Sequence, residues 1–532
     1  CVEETGAAPS VGVRCVTTGA SLRPSATATH TYIFPEAVLD QPEHVPEGSG
    51  VFWTTAMTLN GADADASRAE QLAALSAIPT MSIAMPHEEL FGVQGIHRGP
   101  NLEEDDYEFG ASVELLYPDG DARWAGFDGF QVDAGVRIQG GGGRWREGEY
   151  DHKQSFSLKF RTEYGYSKLK YPVFESAPLN AAGAADEFDT LILRAGHNKG
   201  WGSTWDSQNT CYTRDQFSRD LQIAVSGAGS HGTFVYLYLN GLFWGLYNLV
   251  ERPDHNFQAA YFGGDGDDYY AGKHRGGDIS GDDSAFELFK STVSKSSDYG
   301  AVAAALDVPN YIDQTLLAAY SSVGDYPQYY FGQRMLPTQG PLRFFMWDIE
   351  DSWGGGSRRS GVNYDASDDP QFDRFDETLA LGDLWRGTAD FRQLFCDRAH
   401  AHFEATDGPL REPAIAAAWD TLNDFIEAPM LMEAARWGDE RTAVGEGYTR
   451  SDTWRPARAR MDAALVGRDA KMVAKLEAEV RDGYRMYSAI RPPVADFELL
   501  RPPAEMTAEA AAAAMLRPHP TLTVGDGCGL SL

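Results

Sequence analysis

From Val51 to Glu251 apolar residues come in short runs separated by turn-forming clusters, the spacing of strands, whereas from Ser284 onward they recur mostly at helical intervals. The strand runs are VFWTTAMTL, IPTMSIAM after a helical AEQLAALSA, ASVELLY, Val132 to Gln139, Gln154 to Phe160, LILRAG and FVYLYLNGLFWGLYNLVE. In the fifth of these, Phe156, Leu158 and Phe160 alternate toward one face. Asn240-Gly241 between two apolar runs is the strongest short-range signal for a hairpin. Helices are expected from Asp215 to about Val225 and from near Asp254, where the aspartate suits a helix cap. The pattern divides the chain into an extended arm (1–50), a β-rich part with a glycine turn (51–250), a mainly helical part (251–490) and an extended tail (491–532).

Within the helical part, Ser321 to Trp353 breaks the rhythm. Two apolar runs, Tyr329 to Phe331 and Leu342 to Trp347, flank a connector containing Pro337, Gly340 and Pro341, and so predict a β-hairpin. Asp325 precedes the first run, while Asp348, Glu350 and Asp351 follow the second, so pairing of the two brings both acidic ends to one edge. Carboxylates gathered this way repel unless a cation sits among them, and their hard oxygens suit Mg²⁺, Mn²⁺ or Ca²⁺. A metal–phosphate site and a pair of solvated turns beside a buried sheet are the two readings of that spacing.

The glycines Gly140 to Gly143 lie between two predicted strands, with Arg137, Arg144, Arg146 and Lys153 around them. Such a turn can bring backbone close to phosphates, although the GK[ST] ending of a P-loop is absent, and a flexible hairpin tip reads the same way. DGD near residue 120 and the aspartates of the polar, glycine-rich segment after Phe262 invite a calcium reading. Plain turns, and for the second segment a long surface loop, are the simpler expectation. Tyr32, Ile33 and Phe34 are expected to anchor the N-terminal arm on a neighbouring unit.

The 532 residues carry a formal charge of -33, which argues against nucleic acid as the main partner, because a phosphate backbone needs a basic footprint. With 43% hydrophobic and 12% aromatic residues the chain is not a disordered one. No run approaches the roughly 20 apolar residues of a membrane helix. The sequence starts at Cys1; a lipid-carrying cysteine followed by a polar tether from Val2 to Ser25 is one reading, and a chain that starts partway along is the other. Cys15, Cys211, Cys396 and Cys528 have no CxxC spacing, which argues against zinc, and their even number permits two disulfides in an exported protein.

With GVRIQGGGGR, KQSFSLKFR, LRAGHN, YTRDQ, LYLNGLFWGLYNLVERPD, GDYPQYYF, FFMWDIEDS and EAARWGD in this order, the chain resembles the CotH kinase family, in particular its large secreted bacterial members. The resemblance runs from roughly Phe34 to Phe497. It implies an α+β, divergent protein-kinase-like two-lobe fold, with a β-rich N-terminal lobe and a helical C-terminal lobe clasping ATP and a divalent metal, Mg²⁺ or Mn²⁺. Carried over residue by residue, Lys153 is similar to the phosphate-pairing lysine with Arg137 nearby, and Asp325 to the aspartate that accepts the hydroxyl proton. Asp348 is similar to the metal-binding aspartate with Glu350 behind it, and Glu251 is a nucleotide-pocket candidate. Family members commonly carry Asn a few residues after the catalytic aspartate; here Gln328 and Tyr329 stand there, and only Gln328 has an amide oxygen for a metal. The implied function is a kinase for Ser or Thr of exported or surface proteins, secreted or at the bacterial cell surface. The alternative is a catalytically silent pseudokinase in a coat or surface assembly.

Overall fold

The computed structural model describes residues 10–15, 28–41, 56–92, 95–97, 107–140, 153–196, 199–202, 209–273, 277–281, 284–293, 298–323, 329–354, 381–440 and 447–481. The fold is α+β. Its centre is a closed barrel of seven strands in the order β10-β11-β9-β6-β5-β4-β3, where β3 is Thr80–Ala84, β4 Phe109–Leu116, β5 Phe130–Gln139, β6 Ser155–Lys159, β9 Thr190–Arg194, β10 Gly232–Leu239 and β11 Leu242–Glu251. Every pairing is antiparallel except β10 with β3, which closes the ring. Closure leaves these strands without an open edge. The Asn240-Gly241 turn has φ of 47° and 85°, the pair of positive angles a two-residue hairpin of this kind needs.

All residues of β10 and β11 are buried, so both faces of this hairpin are covered. Inward-facing Leu191 and Leu193 of β9 join the main core, whereas Ile192 and Val250 pack outside the barrel with Phe257, Tyr330, Phe345 and Trp347. That second cluster seats the predicted hairpin, β14 (Tyr329–Arg334) and β15 (Arg343–Met346), in register Tyr329 to Met346. The outer edge of β15 is satisfied by side chains. Asn310 of helix Val308–Ser321 and Gln222 of helix Arg214–Ser226 both donate to the Phe344 carbonyl, at 3.1 and 3.0 Å, and their amide oxygens accept from Phe344 and Met346 N–H. Two helices thereby replace a missing strand and fix where β15 ends.

Some expectations change. The glycine-rich stretch after Phe262 is not a long surface loop: β12 (Tyr269–Lys273) pairs with β14, and β13 (Gly277–Ser280) pairs with β12. Tyr269, Tyr270 and Ala271 are buried there, and their apolar area outweighs the turn character of the neighbouring Asp and Gly residues. Of the three expected anchors of the arm, Ile33 packs against the main core, whereas Tyr32 and Phe34 are 56% and 50% exposed. The arm's strands β1 (Ser10–Cys15) and β2 (Ala28–Ile33) pair with each other, and Thr31 and the buried Gln41 attach them to the barrel: Thr31 donates to Glu114, while Gln41 exchanges hydrogen bonds with the Phe243 main chain. Ala56 to Leu59, inside the first expected strand, form no strand pairing. The DGD segment is a plain turn in which Asp121 accepts from Arg123 N–H. The short strands β7 (Leu169–Lys170) and β8 (Glu187–Phe188) form a separate pair. Cys211 and Cys396 are buried free thiols, so neither belongs to a disulfide. Among the described residues no helix is long and apolar enough to cross a membrane. The tail 491–532 and the glycines Gly141 to Gly143 lie outside the described residues.

Gly245 fixes how helix Pro429–Trp437 meets the barrel. It sits in β11 with φ of 106°, beside a register shift that leaves Trp244 as the extra residue. A Cβ on Gly245 would lie 2.5 Å from Glu433 Oε2 and 2.8 Å from Trp437 Nε1. Gly245→Ala is therefore expected to cost roughly 2–4 kcal/mol from backbone strain plus overpacking, read as a lowered midpoint in denaturant unfolding. Alanine at Gly227, equally left-handed at φ 69° but with open space around it, should cost only the backbone strain.

Candidate functional site

The site begins where β15 ends. Asp348 has φ of 55°, a left-handed conformation uncommon for a residue with a side chain. The segment behind it is fastened at several points. Ile349 N–H donates to Asp215 at 2.9 Å, Trp353 N–H to the Ser321 carbonyl at 2.7 Å, and the Trp353 indole to Ser218 at 2.9 Å. Both helices that hold β15 thus also hold the turn carrying Asp348, Glu350 and Asp351.

Arg194, the last residue of β9, faces this turn. Its Nη2 donates to Asp348 Oδ1 at 2.7 Å and Glu350 Oε2 at 3.3 Å, and its Nε lies 3.3 Å from Asp215 Oδ2. The guanidinium lies over the Trp347 ring at 4.7 Å. Arg219 reaches the same Asp215 oxygen at 3.3 Å and donates to Asn248 of β11 at 2.6 Å. Burial opposes the charge on Asp215, yet Arg194 and Arg219 hold its pKa below the ordinary value. Glu350 goes the other way: burial, then the nearby Asp348 charge, push it up to about 8 against the attraction of Arg194. Lys199 reaches Asp351 at 3.4 Å.

On the other side of Leu246 lies a buried ion pair. The Lys153 ammonium donates to Glu433 Oε1 at 2.6 Å and to the Leu246 carbonyl at 2.5 Å, and lies over the rings of Tyr247 and Tyr212 at 4.8 and 5.4 Å. Glu433 also accepts from the Tyr212 hydroxyl at 2.8 Å and from Leu246 N–H at 2.7 Å. Burial lowers the Lys153 pKa, with the Glu433 charge resisting. Beside the pair, Trp437 donates to the Trp244 carbonyl and Arg436 stacks on the Trp437 ring at 3.9 Å.

Between the two clusters runs a narrow cleft, partly open to solvent. Arg194, Lys199, Arg214, Tyr212, Asn248 and Glu350 are among its walls. Leu246 and Tyr212, which contact Lys153 and Glu433, line it as well, so Lys153 stands behind the wall that Asp348's partners face. Arg137 pairs with Ser157 across β5 and β6, on the face that carries Lys159. Burial, then the charge of Arg252, lower Lys159 to about 8. Glu251 lies about three residue steps, or ~10 Å, further along β11 than Asn248. Its carboxylate accepts from His231 N–H and the Tyr261 hydroxyl and meets the His231 ring at 3.0 Å, beside a second cleft lined by Asp189, Thr190 and Arg252. Asp325 and Gln328 lie outside the described residues. Tyr329 is 1% exposed and packs on Phe331 and Phe344, in the core.

Arg194, Asp215, Lys199 and Glu433 were not singled out by the sequence reading, although LRAGHN, YTRDQ and EAARWGD contain or adjoin all four. Charged residues inside otherwise buried runs were the available signal. For a divalent metal the donor set is hard oxygen: Asp348, whose side chain is 37% exposed and bonded to Arg194 through Oδ1, and Glu350. Among the described residues no group of three or more His, Cys, Asp or Glu is arranged to hold a metal ion. Two carboxylates fit Mg²⁺ or Mn²⁺ that shares its shell with phosphate oxygens better than Ca²⁺, which takes six to eight oxygens.

The family model described as CotH kinase protein matches residues 136–460, more than half of the chain, and the chain belongs to that family. The matched span contains Arg194, Asp348, Lys153 and Glu433. No curated protein matches the sequence.

Removing one partner of a buried ion pair strands the other. Lys153→Met or Glu433→Leu is expected to cost roughly 3–5 kcal/mol in denaturant unfolding, and the two together less than the sum of the singles. Glu350 gives a pH signature. Its folded pKa, about 8, lies above the ordinary 4.5, so the folded state binds more protons between these values. The associated stability is fully present below about pH 4.5 and is lost as pH rises through 8. Glu350→Gln should flatten the fall in melting temperature between pH 5 and 8; equal slopes in the two proteins would contradict it.

Proposed function

We propose that this member of the CotH kinase protein family is an atypical protein kinase, moving a phosphoryl group from ATP to a serine or threonine hydroxyl of an exported or surface protein. In this reading the barrel is the β-rich lobe and the helices from Ser284 onward form the helical lobe. The observation that carries it is the meeting of opposite charges across one cleft, with Arg194 from the barrel bonded to Asp348 and Glu350 from the hairpin end. A lysine–glutamate ion pair beside the nucleotide is a required part of protein-kinase sites, and Lys153 with Glu433 supplies a pair of that chemistry.

Phosphoryl transfer needs little covalent help; the protein positions groups and neutralises charge. ATP would supply the transferable phosphoryl group, and Mg²⁺ or Mn²⁺ would screen its negative charge. Asp348 and Glu350 would hold the metal, with Gln328 as a further oxygen donor. Arg194 and Lys199 would offset phosphate charge. Asp325 accepts the proton of the acceptor hydroxyl. Lys153 acts as the phosphate-pairing lysine, oriented by Glu433, with Arg137 nearby, and Glu251 borders the nucleotide pocket. Secretion or surface display and an extracellular protein substrate complete the reading.

A second reading has its own support. Lys153 is 3% exposed with its ammonium bonded to Glu433 and the Leu246 carbonyl, and Tyr329 is turned into the core. Both suit a silent member that serves as a structural or adhesive component of a surface assembly.

Incubation with labelled ATP and Mg²⁺ or Mn²⁺ separates the two. The kinase reading expects label transfer that is lost, by at least 100-fold, in Asp348→Ala, together with a nucleotide- and metal-dependent rise in melting temperature. Persistence of transfer in the variant removes the metal role from Asp348; absence of both transfer and thermal shift in the natural protein establishes the silent reading.

A further inference from the structure

Arg214 opens helix Arg214–Ser226 and lines the cleft described above, yet it is 5% exposed and nearly without partners. Its Nη2 donates to the Asn209 carbonyl at 3.1 Å. Nε and Nη1 are buried with no hydrogen-bond acceptor. Among the described residues no carboxylate pairs with it: the neighbouring Asp215 is taken by Arg194, Arg219 and the Ile349 N–H. Cys211 adjoins it, but burial raises that thiol's pKa, so it is no counterion. A buried cation with unused donors is costly unless something supplies the missing negative charge.

Two features of the same place point to the missing group. The helix begins without a side-chain cap, because the Thr213 hydroxyl donates instead to Asn423 Oδ1 at 3.0 Å. Its first N–H groups and its dipole therefore favour an anion. Of the cations that line the cleft, Arg194 meets Asp215, Asp348 and Glu350, and Lys199 meets Asp351, so Arg214 is the lining cation left without a carboxylate among the described residues. Arginine is suited to this task, since its planar donor array matches phosphate oxygens.

We propose that Arg214 is the anchor of a phosphate subsite at the start of this helix, binding the oxyanion tail of the ligand that enters the cleft. The identity of that ligand as a nucleotide rests on the function proposed above; the anion site does not.

The test is calorimetry on the full chain without metal, using sodium tripolyphosphate, ATP and adenosine as probes, with natural protein, Arg214→Leu and Arg214→Lys. Tripolyphosphate should bind the natural protein, lose roughly 10- to 100-fold in affinity in Arg214→Leu, and recover part of it in Arg214→Lys. Without any anion, Arg214→Leu should melt at the same temperature as the natural protein or higher, because it removes an unpaired buried cation. A lower melting temperature would assign Arg214 a structural role and overturn the proposal, as would unchanged tripolyphosphate affinity. If ATP binds the natural protein and Arg214→Leu equally, the anchor is wrong and the nucleotide reading stands. If tripolyphosphate binds through Arg214 while ATP binds no tighter and adenosine not at all, the anion site stands and the nucleotide reading falls. Binding of none of the three to the natural protein overturns both.

Discussion

A lysine and a glutamate 280 residues apart share one desolvated contact, and much of the molecule is arranged so that neither is left with an unmet charge. Taking both ions out of water costs several kcal/mol each, which only close geometry and full hydrogen bonding can offset. Lys153 and Glu433 meet that condition because three other groups converge on them: the Leu246 main chain, the Tyr212 hydroxyl and the Tyr247 ring. The convergence is possible only because Gly245 carries no Cβ and because the register shift moves Trp244 out of the ladder and against Trp437. Helix Pro429–Trp437 is thus held to β11 in one position. The wall of the cleft formed by Leu246 and Tyr212 inherits that position.

The opposite wall is built from surface charge made local. Arg194 ends a barrel strand, whereas Asp348 and Glu350 follow a hairpin strand on a different sheet, and Asp215 starts a helix. What aligns them is the outer apolar cluster of Ile192, Val250, Tyr330, Phe345 and Trp347, which seats the hairpin on the barrel against Ile192, two residues before Arg194 on the same strand. Side-chain amides of Gln222 and Asn310 then fix the end of β15, since a slip of one residue would reverse every side chain and break the four hydrogen bonds they make to three main-chain groups. The geometry of the charges is therefore set by apolar packing and edge satisfaction, and the ion pairs follow from it.

These dependencies explain what could be read from the chain. Asn240-Gly241 announced its hairpin because its left-handed angles need those residue types, and Phe156, Leu158 and Phe160 announced a buried face because strand periodicity is local. The hairpin around Pro337 and the cap at Asp254, which accepts from Asn256 and Phe257 N–H, were legible for the same reason. The strand Tyr269–Lys273 was not, because Asp and Gly on both sides outvote three buried residues when only composition is weighed. Arg194 and Glu433 were passed over because their importance lies in partners more than 150 residues away. The family resemblance, which the match to residues 136–460 bears out, reached those segments as motifs without saying which side chain in each mattered.

Two buried cations near the cleft are treated in opposite ways, and the difference bears on what each is for. Lys153 has a carboxylate, a carbonyl and two aromatic faces around it. Its partners are in place without any ligand, so the empty protein already holds it in one position. Arg214, equally removed from water, has one carbonyl and a helix start whose own donors add to the positive potential. Hydrophobic packing of the same volume would stabilise the fold more than such a guanidinium does. A group that weakens the empty protein in this way acquires its justification from something that enters, and its own unused donors, together with the uncapped N–H groups of its helix, restrict that something to an anion.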